Sequence, residues 1–188
     1  MKRRLPCLVL VVGCNSEPSS AAPEPAGTCG FIEQFQTLPS PHSDDVDPAA
    51  WNSNPPTSGP HSPAWAGWNR AYENLPRVHW VHNLEHGGVV LAYRCDEPCP
   101  DVVQGLKDVI LATPDDEACA APVHHRLLLV HDPALPVDVQ VAAVAWGVHY
   151  TATCLDAPTM AEFIADHYDR APESFCGDGG AFDGEPLY

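Results

Sequence analysis

The chain has 188 residues and a formal net charge of −16, with 25 acidic residues against 9 basic ones. This excess of acidic residues argues against a protein that binds nucleic acid, and against a folded surface that binds anionic lipid. The length is sufficient for one domain built around a single hydrophobic core.

The first 13 residues have the pattern of a bacterial lipoprotein signal peptide. Residues 1–4 are positively charged, and the apolar run at residues 5–12 is shorter than the roughly 20 residues that span a bilayer. Gly13 then precedes Cys14, as in a lipobox, whose cysteine becomes acylated. We predict that residues 1–13 are removed and that lipid on Cys14 anchors the protein to the membrane of the bacterial cell envelope, facing the periplasm or the outside. An ordinary signal peptide with an incidental cysteine is the alternative.

The remaining chain divides by composition into three parts. Residues 14–28 contain Ser, Pro, Ala and Glu but no aromatic residue, so they are predicted to be a disordered tether that cannot bury enough apolar surface to fold. Residues 29–176 alternate between apolar runs and turn signals, which predicts a single α+β domain. The acidic, glycine-rich tail at residues 177–188 is predicted to fray.

Within this domain, the apolar patterns predict a small, mostly antiparallel sheet, two or so helices and long ordered loops. Apolar residues at helical spacing follow Pro100, a residue type that favours the first turn of a helix. Short continuous apolar runs indicate buried strands. In chain order, the expected elements are an irregular aromatic-rich segment at 51–76, a strand at 89–93, a helix at 101–111, a strand at 126–130, a helix or strand at 139–150, and a helix at 159–170.

Six cysteines remain beyond Cys14. An even number in an exported chain predicts three disulfides more readily than a thiolate metal site. The sequence leaves 15 pairings open, and only Cys95 and Cys99, which flank a short turn, stand out as a local pair. The six candidates are Cys29, Cys95, Cys99, Cys119, Cys154 and Cys176.

The densest cluster of chemically active side chains is at residues 79–86, which contain three histidines and a glutamate. His82 and His86 share a face in either secondary structure, at i and i+4 on a helix or at even spacing on a strand. The β-branched residues and the strand that follows favour extended structure, with a bulge at Gly87 and Gly88. The pair is therefore predicted to point toward one site.

A further histidine, His61, follows a segment that contains three prolines, which stiffen the backbone and so favour a preorganised ligand. Imidazole groups suit copper or zinc. We predict that His61, His82 and His86 bind a transition metal, with affinity falling as the pH drops through about 6.5. Further ligands or outer neighbours are expected among Glu85, His42 and His79.

Two other interpretations of these residues remain open. His82-Asn-Leu-Glu-His86 fits the H-x-x-E-H pattern of inverted zinc peptidases, but the glycine pair that follows interrupts the long helix of such enzymes. The histidines could instead hydrogen-bond main-chain groups in a core rich in aromatic residues. A serine hydrolase is disfavoured, because Ser58 lacks the Gly-x-Ser-x-Gly elbow.

Three segments together resemble a bacterial family of secreted or membrane-anchored proteins that is described only as a domain of unknown function. These are residues 55–61 (PPTSGPH), residues 81–90 (VHNLEHGGVV) and the later residues 145–147 (AWG). The resemblance covers roughly residues 40–175 and implies no activity. It implies that His42, His61, His82, Glu85, His86 and Tyr93 match the family pattern, which adds Tyr93 to the outer neighbours of the site. The extra cysteines depart from many relatives.

These observations favour a cell-envelope lipoprotein that handles copper or zinc without catalysing a reaction, attached to the membrane by its N-terminal lipid. A metal-dependent envelope enzyme, either a hydrolase or an oxidase, would use the same histidines but would need an open coordination position beside a cleft. An interaction domain with structural histidines is the third possibility.

The leader predicts that the mature N-terminus is an acylated Cys14. Mass spectrometry of the N-terminal peptide should show that cysteine carrying lipid. A mature N-terminus that is free, or that begins at another residue, would contradict the lipoprotein assignment.

Overall fold

The computed structural model describes residues 22–188, which form an α+β domain with three α-helices and eight strands. This confirms the predicted fold class. The predicted signal peptide, the predicted lipidation site Cys14 and the first half of the predicted tether lie outside the described residues. Between residues 22 and 188, no helix is long and apolar enough to cross a membrane.

The strands form one sheet in the order β1-β2-β7-β6-β4-β5-β3-β8. The pairs β4–β5 and β5–β3 are parallel, and every other neighbouring pair is antiparallel. The mostly antiparallel character is therefore as predicted. The strands are β1 (Glu24–Ala26), β2 (Gly30–Gln34), β3 (Arg70–Tyr72), β4 (Val89–Tyr93), β5 (Leu127–His131), β6 (Val141–Ala145), β7 (Val148–Ala152) and β8 (Glu185–Pro186).

Both edges of the sheet end in very short strands that contain proline. The edge strand β1 has three residues with Pro25 in its middle, and β8 has two residues and ends at Pro186. Proline has no backbone N–H to donate, so neither strand offers a full set of ladder donors.

The helices are α1 (Arg77–Glu85), α2 (Pro100–Ala112) and α3 (Ala157–His167). The helices predicted at 101–111 and 159–170 are confirmed as α2 and α3. The ambiguous segment at 139–150 contains two strands, because Gly147 takes a positive φ of 76° and turns β6 into β7.

The central strand β4 separates two apolar layers. Val89, Leu91 and Tyr93 pack with the side of the sheet that α2 and α3 cover. Val90 and Ala92 face the other side and pack with α1. Because both faces are covered, β4 is apolar at every position rather than at alternate ones.

Helix α1 corrects the extended conformation that we favoured for residues 79–86. Trp80, Val81 and Leu84 pack into the core beside the sheet, and the helix is followed by Gly87 with a φ of 84°. A side chain at Gly87 would meet the Arg126 guanidinium, so this position suits a glycine stop. Tertiary contacts therefore decide the conformation, against the weaker local preference.

Within the described residues, parts of both predicted flexible ends contact the rest of the domain. The tether was expected to extend to residue 28, but β1 pairs with β2 from Glu24 onward. The tail was expected to fray from residue 177, but Leu187 donates to the Asn69 carbonyl at 2.9 Å and the Tyr188 hydroxyl lies 2.7 Å from the His125 ring. These long-range contacts could not be anticipated from composition.

The predicted three disulfides are confirmed, as Cys29–Cys154, Cys95–Cys99 and Cys119–Cys176. Their Cα–Cα distances of 5.9, 6.2 and 5.3 Å are in the range that a disulfide requires. Disulfides persist in oxidising compartments, so they indicate a location outside the cytoplasm.

The disulfides should stabilise the fold unequally. Cys29–Cys154 joins residues 125 apart and Cys95–Cys99 residues 4 apart, so the loop-entropy argument predicts losses of about 5 and about 2 kcal/mol on removal. Denaturant unfolding of the Cys29→Ser/Cys154→Ser and Cys95→Ser/Cys99→Ser double variants measures both free energies. A larger loss for the short loop would contradict this ranking.

Candidate metal centre

Helix α1 and the irregular segment before β3 are joined by side-chain hydrogen bonds to the main chain. The ring Nδ1 of His79 lies 2.9 Å from the Ala64 carbonyl, and that of His82 lies 2.7 Å from the Ser62 carbonyl. The Asn83 side chain accepts from Ala66 N and donates to Ala66 O. One face of the helix, at positions i, i+3 and i+4, is thereby fixed against residues 62–66.

His42 and His61 reach the same place from the irregular part of the chain. Ser43 N donates to the His61 carbonyl at 2.7 Å, and His61 N donates to the Pro41 carbonyl at 3.3 Å. This short parallel bridge aligns the two histidines, and their ring centroids lie 4.9 Å apart. Each ring centroid also lies 4.7 Å from that of His82.

These three imidazoles and the Glu85 carboxylate form the candidate metal centre. Each of His42, His61, His82 and Glu85 offers one ligand atom, and the four atoms all lie within 4.8 Å of one another. His61, His82 and Glu85 are buried, whereas 48% of the His42 side chain is exposed. The group could therefore hold a metal ion at the protein surface, with most of its ligands inside.

Main-chain carbonyls orient two of the three rings. His61 Nδ1 lies 2.8 Å from the Gly59 carbonyl, and His82 Nδ1 lies 2.7 Å from the Ser62 carbonyl. A carbonyl oxygen only accepts, so each Nδ1 must carry a proton and donate it. In the neutral ring this leaves Nε2 with a free lone pair, which is the form that binds a metal.

Glu85 is placed where it faces two of these rings. Its Oε2 lies 3.0 Å from His61 Nε2 and 3.4 Å from His42 Nε2, while its Oε1 accepts a hydrogen bond from the Ser40 hydroxyl at 2.6 Å. Burial would raise the pKa of Glu85, but the Ser40 hydrogen bond and the neighbouring histidines outweigh it and hold the pKa below its usual value. The carboxylate is therefore ionised at neutral pH.

The contacts of His61 require more N–H donors than a neutral imidazole has. Gly59 O and the ionised Glu85 both accept, so both ring nitrogens of His61 face acceptors. A neutral imidazole has only one N–H to donate. The arrangement is satisfied either by a doubly protonated ring or by a cation that takes the place of the second proton between Nε2 and Oε2.

The buried histidines His82, on α1, and His86, just after its end, resist protonation. Burial lowers the pKa of His82 to about 4, although its hydrogen bond to the Ser62 carbonyl acts in the opposite direction. Burial also lowers the pKa of His86 to about 4, and the neighbouring His82 adds to the shift. The expectation that binding weakens below about pH 6.5 therefore does not hold for His82, because this ring stays neutral well below that pH.

His86 lies next to the group but does not belong to it. Its ring centroid is 4.5 Å from that of His82, yet its Nε2 faces Glu173 Oε2 at 3.3 Å, and its buried Nδ1 has no hydrogen-bond partner among residues 22–188. His86 is not part of the group because the helix ends at Glu85, the residue before it. Among the described residues, the place expected for His86 is taken by His42.

The two residues expected as outer neighbours lie elsewhere. The His79 ring bonds the Ala64 carbonyl and packs on Phe182, with ring centroids 4.4 Å apart. Tyr93 is on the opposite face of the sheet, where its hydroxyl donates to Glu73. The group that surrounds the ligands is instead Ser40 and the carbonyls of Gly59 and Ser62. Ser40 could have been noticed from its position between Pro39 and Pro41, two residues before His42.

The geometry argues against an inverted zinc peptidase. That motif requires both of its histidines as ligands on one helix, with the glutamate as general base. Here Glu85 is part of the group of ligand atoms and His86 is not.

A second cluster of metal-ligand residue types does not qualify. Asp116, Cys119 and Cys176 also place ligand atoms within 4.8 Å of one another. However, Cys119 and Cys176 are joined in a disulfide, and Asp116 pairs with the buried Arg126 at 3.0 Å. The cysteine sulfurs and the Asp116 carboxylate therefore already have partners within the fold.

The chain belongs to a protein family whose function is not known. The family described as "Protein of unknown function (DUF3105)" matches residues 42–177, which confirms the resemblance found in the sequence. No curated protein and no solved structure matches the chain. The matched segment begins at the first histidine of the candidate metal centre.

The lowered histidine pKa values predict acid sensitivity. His82 and His86 have pKa values of about 4 in the folded state, below the unfolded value of about 6.5, so the unfolded chain binds more protons between these limits. The free energy of unfolding should fall as the pH drops from 6.5 toward 4, by about 1.4 kcal/mol per pH unit for each such proton. Denaturant unfolding of metal-free protein across this range measures the slope.

His82→Gln should reduce that slope, because it removes one of the histidines whose pKa the fold lowers. His124→Gln is the matched control, since His124 lies at the surface beside Asp115 and outside the centre. If the unfolding free energy changed equally with pH in the wild type and the His82 variant, the low pKa of His82 would be contradicted.

Proposed function

We propose that this protein is a cell-envelope lipoprotein that binds copper or zinc through His42, His61, His82 and Glu85 and handles the metal without catalysing a reaction. The observation that carries the proposal is the convergence of three imidazoles and one carboxylate, whose ligand atoms lie within 4.8 Å of one another.

The orientation of the rings supports binding. Hydrogen bonds to main-chain carbonyls hold His61 and His82 with Nδ1 protonated, so their Nε2 atoms are available. The two acceptors that face His61 leave room for a positive charge between His61 Nε2 and Glu85 Oε2. A divalent cation would satisfy both atoms without a second proton on the ring.

The spacing of ligand atoms also suits a small cation. Ligands at about 2.0–2.1 Å from a tetrahedral zinc ion lie about 3.4 Å from one another. Oε2 of Glu85 lies 3.0 and 3.4 Å from Nε2 of His61 and His42. Small movements of the side chains would complete such a site.

The ligand types favour copper or zinc over harder or softer alternatives. Imidazole is a good ligand for both metals, whereas magnesium and calcium prefer sites made entirely of oxygen. The six cysteines of residues 22–188 are all in disulfides, so that part of the chain offers no thiolate for a soft ion. One carboxylate among three histidines retains one negative charge to balance the ion.

The number of ligands favours binding over catalysis. Four protein ligands are the set that a closed, tetrahedral site uses, while a catalytic zinc site keeps a position for water or substrate. A metal-dependent hydrolase or oxidase would also require a substrate cleft beside the ion. We therefore rank metal handling above an enzyme, and rank both above a purely structural role for the histidines.

The cellular location in this proposal comes from the leader and the disulfides. A lipid on Cys14 would hold the domain at the membrane, and the three disulfides fit an oxidising compartment outside the cytoplasm. The net charge of −16 disfavours nucleic acid as a partner and favours a local excess of cations.

Calorimetric titration of Zn²⁺ or Cu²⁺ into metal-free protein without a histidine tag should show one site per chain. His61→Ala and His82→Ala should each weaken binding at least about 100-fold, because each removes an oriented ligand. The measurement compares dissociation constants at pH 7, where the low pKa of His82 keeps this ring deprotonated.

His124→Ala is the matched control, as it removes an imidazole outside the centre and should bind like the wild type. Equal affinity in the wild type and in both ligand variants would return the histidines to a structural role. If the metal-loaded wild type catalysed hydrolysis or oxidation, the alternative function as a metal-dependent enzyme would be favoured.

A further inference from the structure

The four ligands of the candidate metal centre are unequally held. His61, His82 and Glu85 are buried. His82 and Glu85 lie on helix α1, and His61 lies in the segment that pairs with residues 41–43. The His42 side chain is 48% exposed. Building on the proposed function, we propose that His42 is a releasable ligand through which the bound ion, as cargo, is exchanged with an acceptor outside the protein.

The contacts of His42 differ in kind from those of the buried rings. His61 and His82 each donate from Nδ1 to a main-chain carbonyl at 2.8 and 2.7 Å. Within residues 22–188 the His42 ring has no such anchor, and its one hydrogen-bond contact is Nε2 to Glu85 at 3.4 Å. That distance is longer than the 3.0 Å between His61 and the same oxygen.

The His42 ring can therefore leave without disturbing the other ligands. Its remaining contacts are ring packing on His61 and His82 and the main-chain bridge of its neighbours to His61. Rotation of the side chain about its own bonds keeps that bridge intact. Removal of His61, by contrast, would leave Glu85 without its closest ring partner, and removal of His82 would leave the Ser62 carbonyl without a donor.

The surface beside His42 suits the approach of a cation. Asp44 accepts from the Ser62 hydroxyl at 2.6 Å, so this carboxylate is held close to the segment that bears His61. Asp45 and Asp47 follow along the same exposed stretch. Negative charge at an entrance raises the local concentration of cations and their rate of capture.

Exchange through His42 is a replacement of one ligand by another. A nitrogen or sulfur atom of the acceptor forms a bond to the ion while the bond to His42 Nε2 breaks. The freed imidazole keeps its lone pair or takes a proton from water. For Zn²⁺, which has no redox chemistry, nothing is oxidised or reduced, and if the acceptor is a thiol its proton passes to solvent. His61, His82 and Glu85 hold the ion until further acceptor atoms replace them.

In the test, a small chromogenic chelator is mixed with full-length protein that carries one equivalent of Zn²⁺. The absorbance of the chelator in a stopped-flow instrument measures the rate at which Zn²⁺ is released. For the wild type, the release rate should increase with chelator concentration, because the chelator takes the position of His42. The His42→Ala variant should still bind Zn²⁺, no more than about tenfold weaker, and release it at least tenfold faster. His61→Ala and His82→Ala should lose at least 100-fold in affinity. His124→Ala should match the wild type.

The outcomes separate this inference from the proposed function. If the wild type does not bind Zn²⁺ or Cu²⁺, the metal centre itself is wrong. If the wild type binds but His42→Ala loses affinity as completely as His82→Ala, the centre stands and His42 is an essential ligand, which overturns the exchange role. Unchanged release from His42→Ala, or a wild-type rate independent of chelator concentration, also overturns it. Circular dichroism of each variant checks that the fold is retained.

Discussion

The structure depends on hydrogen bonds between one polar face of helix α1 and the main chain of residues 62–66. His79, His82 and Asn83 satisfy buried or half-buried carbonyl and amide groups of a segment with no sheet partner for most of its length. The apolar side of the same helix packs on β4. The loop is thus held to the sheet through the helix, and loss of these bonds would leave buried polar groups without partners.

The same constraint creates the site. A histidine that donates from Nδ1 to a main-chain carbonyl supports the fold and, in the same tautomer, exposes Nε2 for a ligand role. The structural and metal-binding interpretations of these histidines are therefore compatible for His82 and His61. The two rings differ in their other contacts. Nε2 of His61 faces Glu85, whereas the His82 ring lies beside the rings of His42 and His61.

Sequence patterns predicted α2, α3, β4 and β5, because each has an apolar period or run that burial on one or two faces requires. They failed for α1, whose buried surface is half polar, so no apolar stripe of helical period marks it. In the site, His61, His82 and Glu85 could be found from residue type and spacing. His42 is also among the further ligands expected from the sequence. What the sequence could not show is that His42 joins the group and His86 does not, because this depends on where α1 ends and on a bridge between distant segments.

The short, proline-containing strands at both edges of the sheet affect how the protein behaves when many copies are close together. An open sheet edge is a template on which another chain can add a strand, and aggregation by this route becomes faster as molecules are crowded together. Here β1 and β8 offer only three and two residues, and each contains a proline. With the proposed lipid anchor, the protein would meet its own copies often on the membrane, and these edges would offer each copy few backbone groups on which to add a strand.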